Sequence, residues 1–261
     1  MTPRDRELRV LFLTTAYPAY PGDPRGHHVH NLARQLVGTG VDITAAAPTL
    51  PGASLTETID GVEVRRFRYS PFGREQLAKG VSGIVPNLKA KPQLAVQIAP
   101  MVLQMGRAAR RLVASHDVLH AHWMYPGGFV GLRVGRKAGI PVVVTAHGGD
   151  VNAAVANPAL RSLVRKVGNS VDRVLTVSDD LAAKLRSIGV KAQQIDVVPL
   201  GVDTAEPPDR SQVRSIPRVL FVGSLIRRKA VDTLIRALQH VSSGSMEVEI
   251  IGDGPERKHL E

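Results

Sequence analysis

The stretch that most constrains the fold is Val-Val-Val-Thr at positions 142–145, an apolar, β-branched run that continues through Ala146 and stops at His147, Gly148, Gly149 and Asp150. Apolar residues in consecutive positions predict a strand buried on both faces, the situation of a parallel sheet covered by helices. The carboxyl end of such a strand is where open α/β sheets present ligands, and two glycines there let a backbone or a sugar approach His147 and Asp150. The same letters fit an ordinary turn with a hydrogen-bonded histidine, and this stretch alone does not separate the two readings.

The rest of the chain repeats the arrangement. Residues 9–16 predict a strand, followed by a Pro/Gly-rich loop ending at Gly26 and a helix over 27–36, with Val29, Leu32, Ala33 and Leu36 at helical spacing. Strand, glycine loop and helix together aim backbone N–H groups and the positive end of a helix dipole at an anion. The loop matches neither the dinucleotide fingerprint nor the P-loop pattern. Further strands are predicted over 41–47, 62–67, 118–122, 173–177 and 194–198, the first two joined by a turn-rich segment. Helices are predicted over 93–115, kinked or restarted at Pro100, then from the glycines at 127 and 128 to Gly139, and over 160–167 and 179–188. Ser178 caps the last of these and Gly189 stops it. Such alternation implies a parallel sheet covered on both faces.

Residues 199–217, with Pro207, Pro208 and Pro217, read as a linker, and a second α/β unit follows with strands over 219–222 and 248–251 around a helix over 231–241. Arg227, Arg228 and Lys229 gather just before that helix. Cations there oppose the helix dipole unless an anion binds among them, so the turn reads as a phosphate site or else as an exposed basic loop. His120 and His122 share one strand face. They read as substrate-facing or packed histidines; a metal-dependent hydrolase would need more ligands, and the spacing offers none beyond His147 and Asp150.

Composition narrows the function classes. The 261 residues are 43% hydrophobic, enough for a real core, and contain no cysteine, which excludes disulfides, thiolate zinc sites and a cysteine nucleophile. A polar start and the lack of a long apolar run predict neither a signal peptide nor a membrane span, hence a cytoplasmic protein. A formal charge of +11 calls for an acidic partner. With 4% aromatics and no nucleic-acid-binding motif, phosphates or an anionic membrane surface are expected rather than nucleic acid. The segment 65–91, where Arg65, Arg66, Arg68, Arg74, Lys79, Lys89 and Lys91 alternate with apolar residues including Phe72 and Val81, could lie on such a membrane or form a solvated face.

Taken together, YPAYPGDPRGHHVHNLARQL, HAHWMYPGG, VVVTAHGGDV, VLTVSDDL, VVPLGVD, FVGSLIRRKAVDTLIRAL and IIGDGP occur in the order and spacing of family 4 glycosyltransferases, which the chain resembles over nearly its whole length. No one of these motifs is specific by itself; seven in register are. The resemblance implies the GT-B fold: a doubly wound parallel-sheet N-terminal domain over 1–200 on the acceptor side, a linker over 201–217, and from 218 to 261 the start of a Rossmann-like nucleotide-sugar domain. It implies metal-independent, retaining transfer from a nucleoside-diphosphate sugar, a co-substrate rather than a cofactor, to a glycan or lipid-linked acceptor in cell-envelope or exopolysaccharide biosynthesis. By the same resemblance His147 and Asp150 are catalytic, Gly26, Gly223, Ser224, Arg228 and Lys229 bind the donor phosphates, and His27, His122 and Gly148 line the acceptor side.

The sequence departs from the family pattern in two ways. Ser224 stands where the family often has arginine and Ala230 where it often has glycine, and the family's paired glutamates, seven residues apart, have no counterpart before Glu261. The chain as given is therefore expected to hold an incomplete second domain and not to turn over by itself. A non-catalytic glycan- or membrane-binding module is the alternative reading.

Overall fold

The computed structural model describes residues 7–20, 22–50, 52–71, 74–79, 83–203, 216–242 and 244–261. The chain divides into two units, residues 1–203 and 204–261. Most of the expected linker, and Phe72 and Val81 of the basic segment, lie outside the described residues.

The first unit is built on an eight-stranded sheet. In chain order it contains β1 (Leu8–Leu13), α1 (His27–Val37), β2 (Val41–Pro48), β3 (Thr56–Ile59), β4 (Val62–Phe67), α2 (Ile84–Ala90) and α3 (Ile98–Leu112). There follow β5 (Val118–His122), α4 (Phe129–Ala138), β6 (Val142–Ala146), α5 (Gly149–Ala156), α6 (Pro158–Gly168), β7 (Arg173–Thr176), α7 (Asp179–Ser187) and β8 (Ile195–Val197). The strand order is β3-β4-β2-β1-β5-β6-β7-β8, parallel throughout except that β3 runs antiparallel to β4.

Strand alternation separates two cores. Val10 and Phe12 of β1, Ile43, Ala45 and Ala47 of β2, and Val62 and Val64 of β4 pack with Val29 and Ala33 of α1. Leu11 and Leu13 join Leu119, Ala121, Val142 and Val144 in the larger core, which takes in Met101 and Met105 of α3 and Val130 and Val134 of α4. Close helix-to-sheet contact needs small residues: a Cβ on Gly135 would lie 2.3 Å from Val142 Cγ2, and one on Gly131 2.8 Å from Leu119 Cδ2.

Several elements differ from the expectation, α2 over Ile84–Ala90 among them. Residues 56–59 form β3, which the polar letters Thr-Glu-Thr conceal; the Asp60-Gly61 turn, with φ of 48° and 81°, sets its hairpin with β4. The Gly-Gly-Asp turn does not end in a loop but starts α5, with Gly148 at φ 106° as its N-cap. Over 93–115 a 3₁₀ segment, Pro92–Gln97, precedes α3, so Pro100 falls in the first turn of α3, where no N–H partner is lost.

The basic segment is also corrected in part. Arg66 is not a surface cation: its guanidinium is 0% exposed. Its Nε and Nη2 donate to Glu57 Oε1 at 2.9 and 2.7 Å, and Nη2 also donates to the Pro18 carbonyl. Tyr69 and Leu77 are core residues too. Arg66 thus ties the β3–β4 edge to the loop after β1. Removing one member of a buried pair leaves the other charge uncompensated, so Arg66→Ala is expected to cost about 3 kcal/mol. Urea unfolding followed by Trp123 fluorescence measures this; a loss below about 1 kcal/mol, the ceiling for an exposed pair, would show that the ion pair is worth no more than one at the surface.

The second unit has β9 (Arg218–Val222), α8 (Val231–Ala237), β10 (Glu247–Ile251) and α9 (Arg257–Leu260), with β9 and β10 parallel.

Candidate active site

The sheet order brings the carboxyl ends of β1, β5 and β6 to neighbouring positions, and a turn containing glycine follows each. Gly26 caps α1 at φ 61°, and a Cβ there would lie 2.3 Å from the Ala16 carbonyl oxygen, so only glycine fits. A Cβ on Gly127 would lie 2.3 Å from the carbonyl oxygen of His122, so the turn after β5 folds directly back on its strand.

Between these turns lies a column of imidazoles. The register sets His120 beside Phe12 of β1, whose ring centroid is 4.9 Å from that of His120 and 4.8 Å from that of His122. His120 Nε2 and Thr145 Oγ1 are 2.7 Å apart, and His122 Nδ1 and His147 Nε2 are 3.1 Å apart. The rings of His120 and His122 stack at 4.6 Å, and those of His122 and His147 at 5.3 Å. His28 of α1 and Trp123 pack against His147 with centroids at 4.6 and 4.7 Å.

Burial keeps these rings neutral. It pushes the pKa of His147 down to about 3, with the repulsion that protonated His28 and His120 would exert adding to the effect, and that of His120 down to about 4. Burial also holds His122 well below its ordinary value, with its histidine neighbours adding to the effect, and lowers His28. A hydrogen bond between two neutral imidazoles takes one donor and one acceptor, so His122 and His147 adopt complementary tautomers. The outer nitrogens, His122 Nε2 and His147 Nδ1, are buried without a hydrogen-bond partner among the described residues, as is His28 Nε2.

Asp150 holds this column in place. Its carboxylate accepts from the Met124 N–H at 2.7 Å and the Gly148 N–H at 3.0 Å, joining the turn after β5 to the turn after β6. Burial raises its pKa although these N–H groups oppose the rise. Both carboxylate oxygens of Asp150 are thus engaged by backbone N–H groups.

The sequence-derived candidates therefore fall in different places. His147, Gly148 and His122 come together at the edge of the sheet, with His122 fully buried beneath His147. His27 opens α1 but is exposed, with Nδ1 3.5 Å from Asn31 Nδ2, on a part of the helix that lines a separate pocket. Its neighbour His28, which nothing in the helical periodicity distinguishes, is the residue that meets His147. The H-x-H pair is engaged with Thr145 and His147, and among the described residues no group of three or more His, Asp or Glu is placed to hold a metal ion.

Gly223, Ser224, Arg228 and Lys229 lie in the second unit. A Cβ on Gly252 would lie 1.9 Å from the Gly223 carbonyl oxygen and one on Gly254 2.3 Å from that of Leu225, so the turns after β9 and β10 are pressed together. Arg227–Lys229 form a 3₁₀ turn, exposed and, among the described residues, free of ion pairs. Ala230 sits at φ 51°, a left-handed conformation that accounts for glycine at that position in the family pattern.

Two parallel α/β units define the GT-B glycosyltransferase fold, and solved structures agree. The Anabaena HepE structure in complex with UDP and glucose matches 97% of this chain and 65% of its own, with a TM-score of 0.63 and 18% identity. Residues 26–206 match the model of Glycosyltransferase Family 4, and the chain belongs to that family. TuaC of Bacillus subtilis, named for teichuronic acid biosynthesis, is 25% identical over 97% of the chain and 67% of its own length. D-inositol 3-phosphate glycosyltransferase of Nocardia farcinica is 30% identical over 99% of the chain and 60% of its own length.

The depressed histidine pKa values have a thermodynamic consequence. In the unfolded chain these histidines take up protons near 6.5, whereas in the folded protein His120 and His147 do so only near about 4 and about 3. As pH falls the unfolded state binds protons first, so their contribution is complete above about 6.5 and is lost progressively from there toward about 4. The thermal midpoint is expected to fall across that window, and less steeply in His147→Gln. A flat midpoint between about pH 6.5 and about pH 4.5 would show that the rings are not held neutral.

Proposed function

We propose that the protein to which this chain belongs transfers a sugar, with retention, from a nucleoside-diphosphate sugar to a glycan or lipid-linked acceptor in cell-envelope or exopolysaccharide biosynthesis. The observation that carries this reading is the neutral imidazole of His147 at the end of a buried strand, with Nδ1 unpartnered and Trp123 and His28 packed around it. A neutral imidazole exchanges hydrogen bonds with hydroxyl groups without a change of charge, and aromatic faces suit the C–H face of a pyranose. The relatives' names support the envelope assignment, and the HepE complex supports the donor class.

In this reading Arg228 and Lys229, with the backbone around Gly223 and Ser224, neutralise the departing diphosphate, a role that preorganised cations perform without a metal ion. In the same reading the N-terminus of α1 at Gly26, in the first unit, takes an anionic group of a substrate. The turn geometry fits this division of labour: Gly223, Ser224 and the three cations share one loop that no carboxylate among the described residues neutralises.

The matched region spans 52% to 67% of the lengths of the first curated relatives, so the assay joins the chain to the remaining sequence of a relative such as TuaC. His147→Ala is expected to lower transfer from a nucleotide sugar about 100-fold or more, while the thermal midpoint stays within a few degrees. Activity per folded molecule that survives the substitution would make His147 a packing residue. The chain without that addition serves as the control.

We also propose peripheral binding to an anionic membrane. Among the described residues no helix is long and apolar enough to cross a membrane. Arg68, Lys89 and Lys91 are exposed, and so are the apolar side chains of Val85 (46%) and Val96 (76%). If each cation contributes about 1 kcal/mol at an anionic surface, replacing all three with glutamine weakens vesicle binding on the order of 100-fold. Sedimentation with phosphatidylglycerol vesicles measures this. Equal binding to neutral and anionic vesicles would contradict it.

A further inference from the structure

A second concave site lies beside α1, on the part of the helix that carries His27 and away from the imidazole column. It is a cavity of about 290 Å³ between the loop after β1, the α1 residues Asn31 and Arg34, the Asp60 turn of the β3–β4 hairpin and Asp203. Its volume is at the lower end of small-ligand sites, room for one ring-sized polar molecule.

Two aspartate charges at this cavity are compensated by arginines, and Asp60 is hydrogen-bonded to a histidine. His30 Nε2 lies 2.9 Å from Asp60 Oδ2, and Arg34 Nη2 lies 2.6 Å from Asp203 Oδ2. Asp23 pairs with Arg25, and although burial opposes it, that partner and backbone N–H groups hold the carboxyl near about 2. An anion would have to separate Arg34 from Asp203 or Arg25 from Asp23. A neutral ligand would not.

The side chains that pair also keep them oriented. Tyr17 Oη is 2.8 Å from His30 Nδ1, so the Asp60 carboxylate is held through His30 by a buried phenol. Asp60 remains 51% exposed, and no partner for its Oδ1 is found among the described residues. The carboxylates of Asp60 and Asp203, the Asn31 amide and the Arg34 guanidinium are planar groups that meet vicinal hydroxyls two at a time. Tyr20, 58% exposed, adds an aromatic ring at the rim, and such rings carry an apolar face with a wet edge.

We propose that this cavity is a carbohydrate-binding subsite that takes one neutral hexose unit, separate from the His147 site and occupied whether or not that site transfers a sugar. Vicinal hydroxyls bridge Asp60 and Asn31 across the opening, and the pyranose C–H face rests on Tyr20. A saccharide unit some distance from the reacting end of a glycan is the natural occupant.

The test is titration of the chain with methyl glycosides of glucose, galactose and mannose at millimolar concentration, observed by ¹H–¹⁵N NMR. Reporters are the Asn31 side-chain amide and the Gly61 backbone amide, on the two elements that flank the cavity. Saturable shifts at both reporters are expected with at least one glycoside. Tyr20→Ala weakens binding about tenfold, while Tyr20→Phe, which keeps the ring, and His147→Ala leave it in place. The unchanged remainder of the spectrum shows that each variant is folded. The proposal is overturned if no glycoside gives a saturable shift, if sodium phosphate or magnesium chloride alone produces the same shifts, or if the response is lost in His147→Ala and kept in Tyr20→Ala.

Discussion

One buried carboxylate determines the shape of the functional edge. A parallel sheet delivers its strand ends to a common side but leaves the following turns to find partners for their N–H groups, and Asp150 supplies partners to two turns at once. Through Met124 it fixes the chain leaving β5, and through Gly148 it fixes the chain leaving β6. His122 and His147 precede those two turns, and their 3.1 Å contact depends on both being held. The raised pKa of Asp150 marks the electrostatic cost of placing a carboxyl there, offset by the backbone groups it organises.

From that constraint the chemistry of the edge follows. Four histidines in an exposed cluster would titrate near neutrality and repel one another as they charged; packed against Phe12, Trp123 and the sheet they remain neutral. Neutral rings bind hydroxyls rather than phosphates. The cations sit in the second unit, on the exposed turn around Arg228 and Lys229. Under the proposed function, sugar recognition and diphosphate neutralisation would fall to different parts of the chain.

Much of this could be read from the letters, and what was missed has physical causes. The strand over 118–122 is observed with the same bounds, and Ser178 caps α7 through the Leu181 N–H, because apolar runs and hydroxyl caps act locally. The helix after β6 was missed because two glycines read as a break, whereas Gly148 at φ 106° serves as the cap that starts it. Arg66 reads as a surface cation within a basic segment, although it is in phase with Val62 and Val64 on a strand of period two and so points inward. The packing of His28 on His147 and the bonds by which Asp150 joins two turns left no mark in the sequence. Both arise from contacts between elements far apart in the chain, about which periodicity is silent.

The central claim is that the sheet edge presents neutral, mutually bonded imidazoles held in register by Asp150. Long-range ¹H–¹⁵N spectra of the histidine rings at about pH 5, below the ordinary histidine pKa, test it most directly. The account predicts ring signals of neutral imidazole for His120, His122 and His147, with His122 and His147 in complementary tautomers. Imidazolium signals from these three residues at that pH would contradict it.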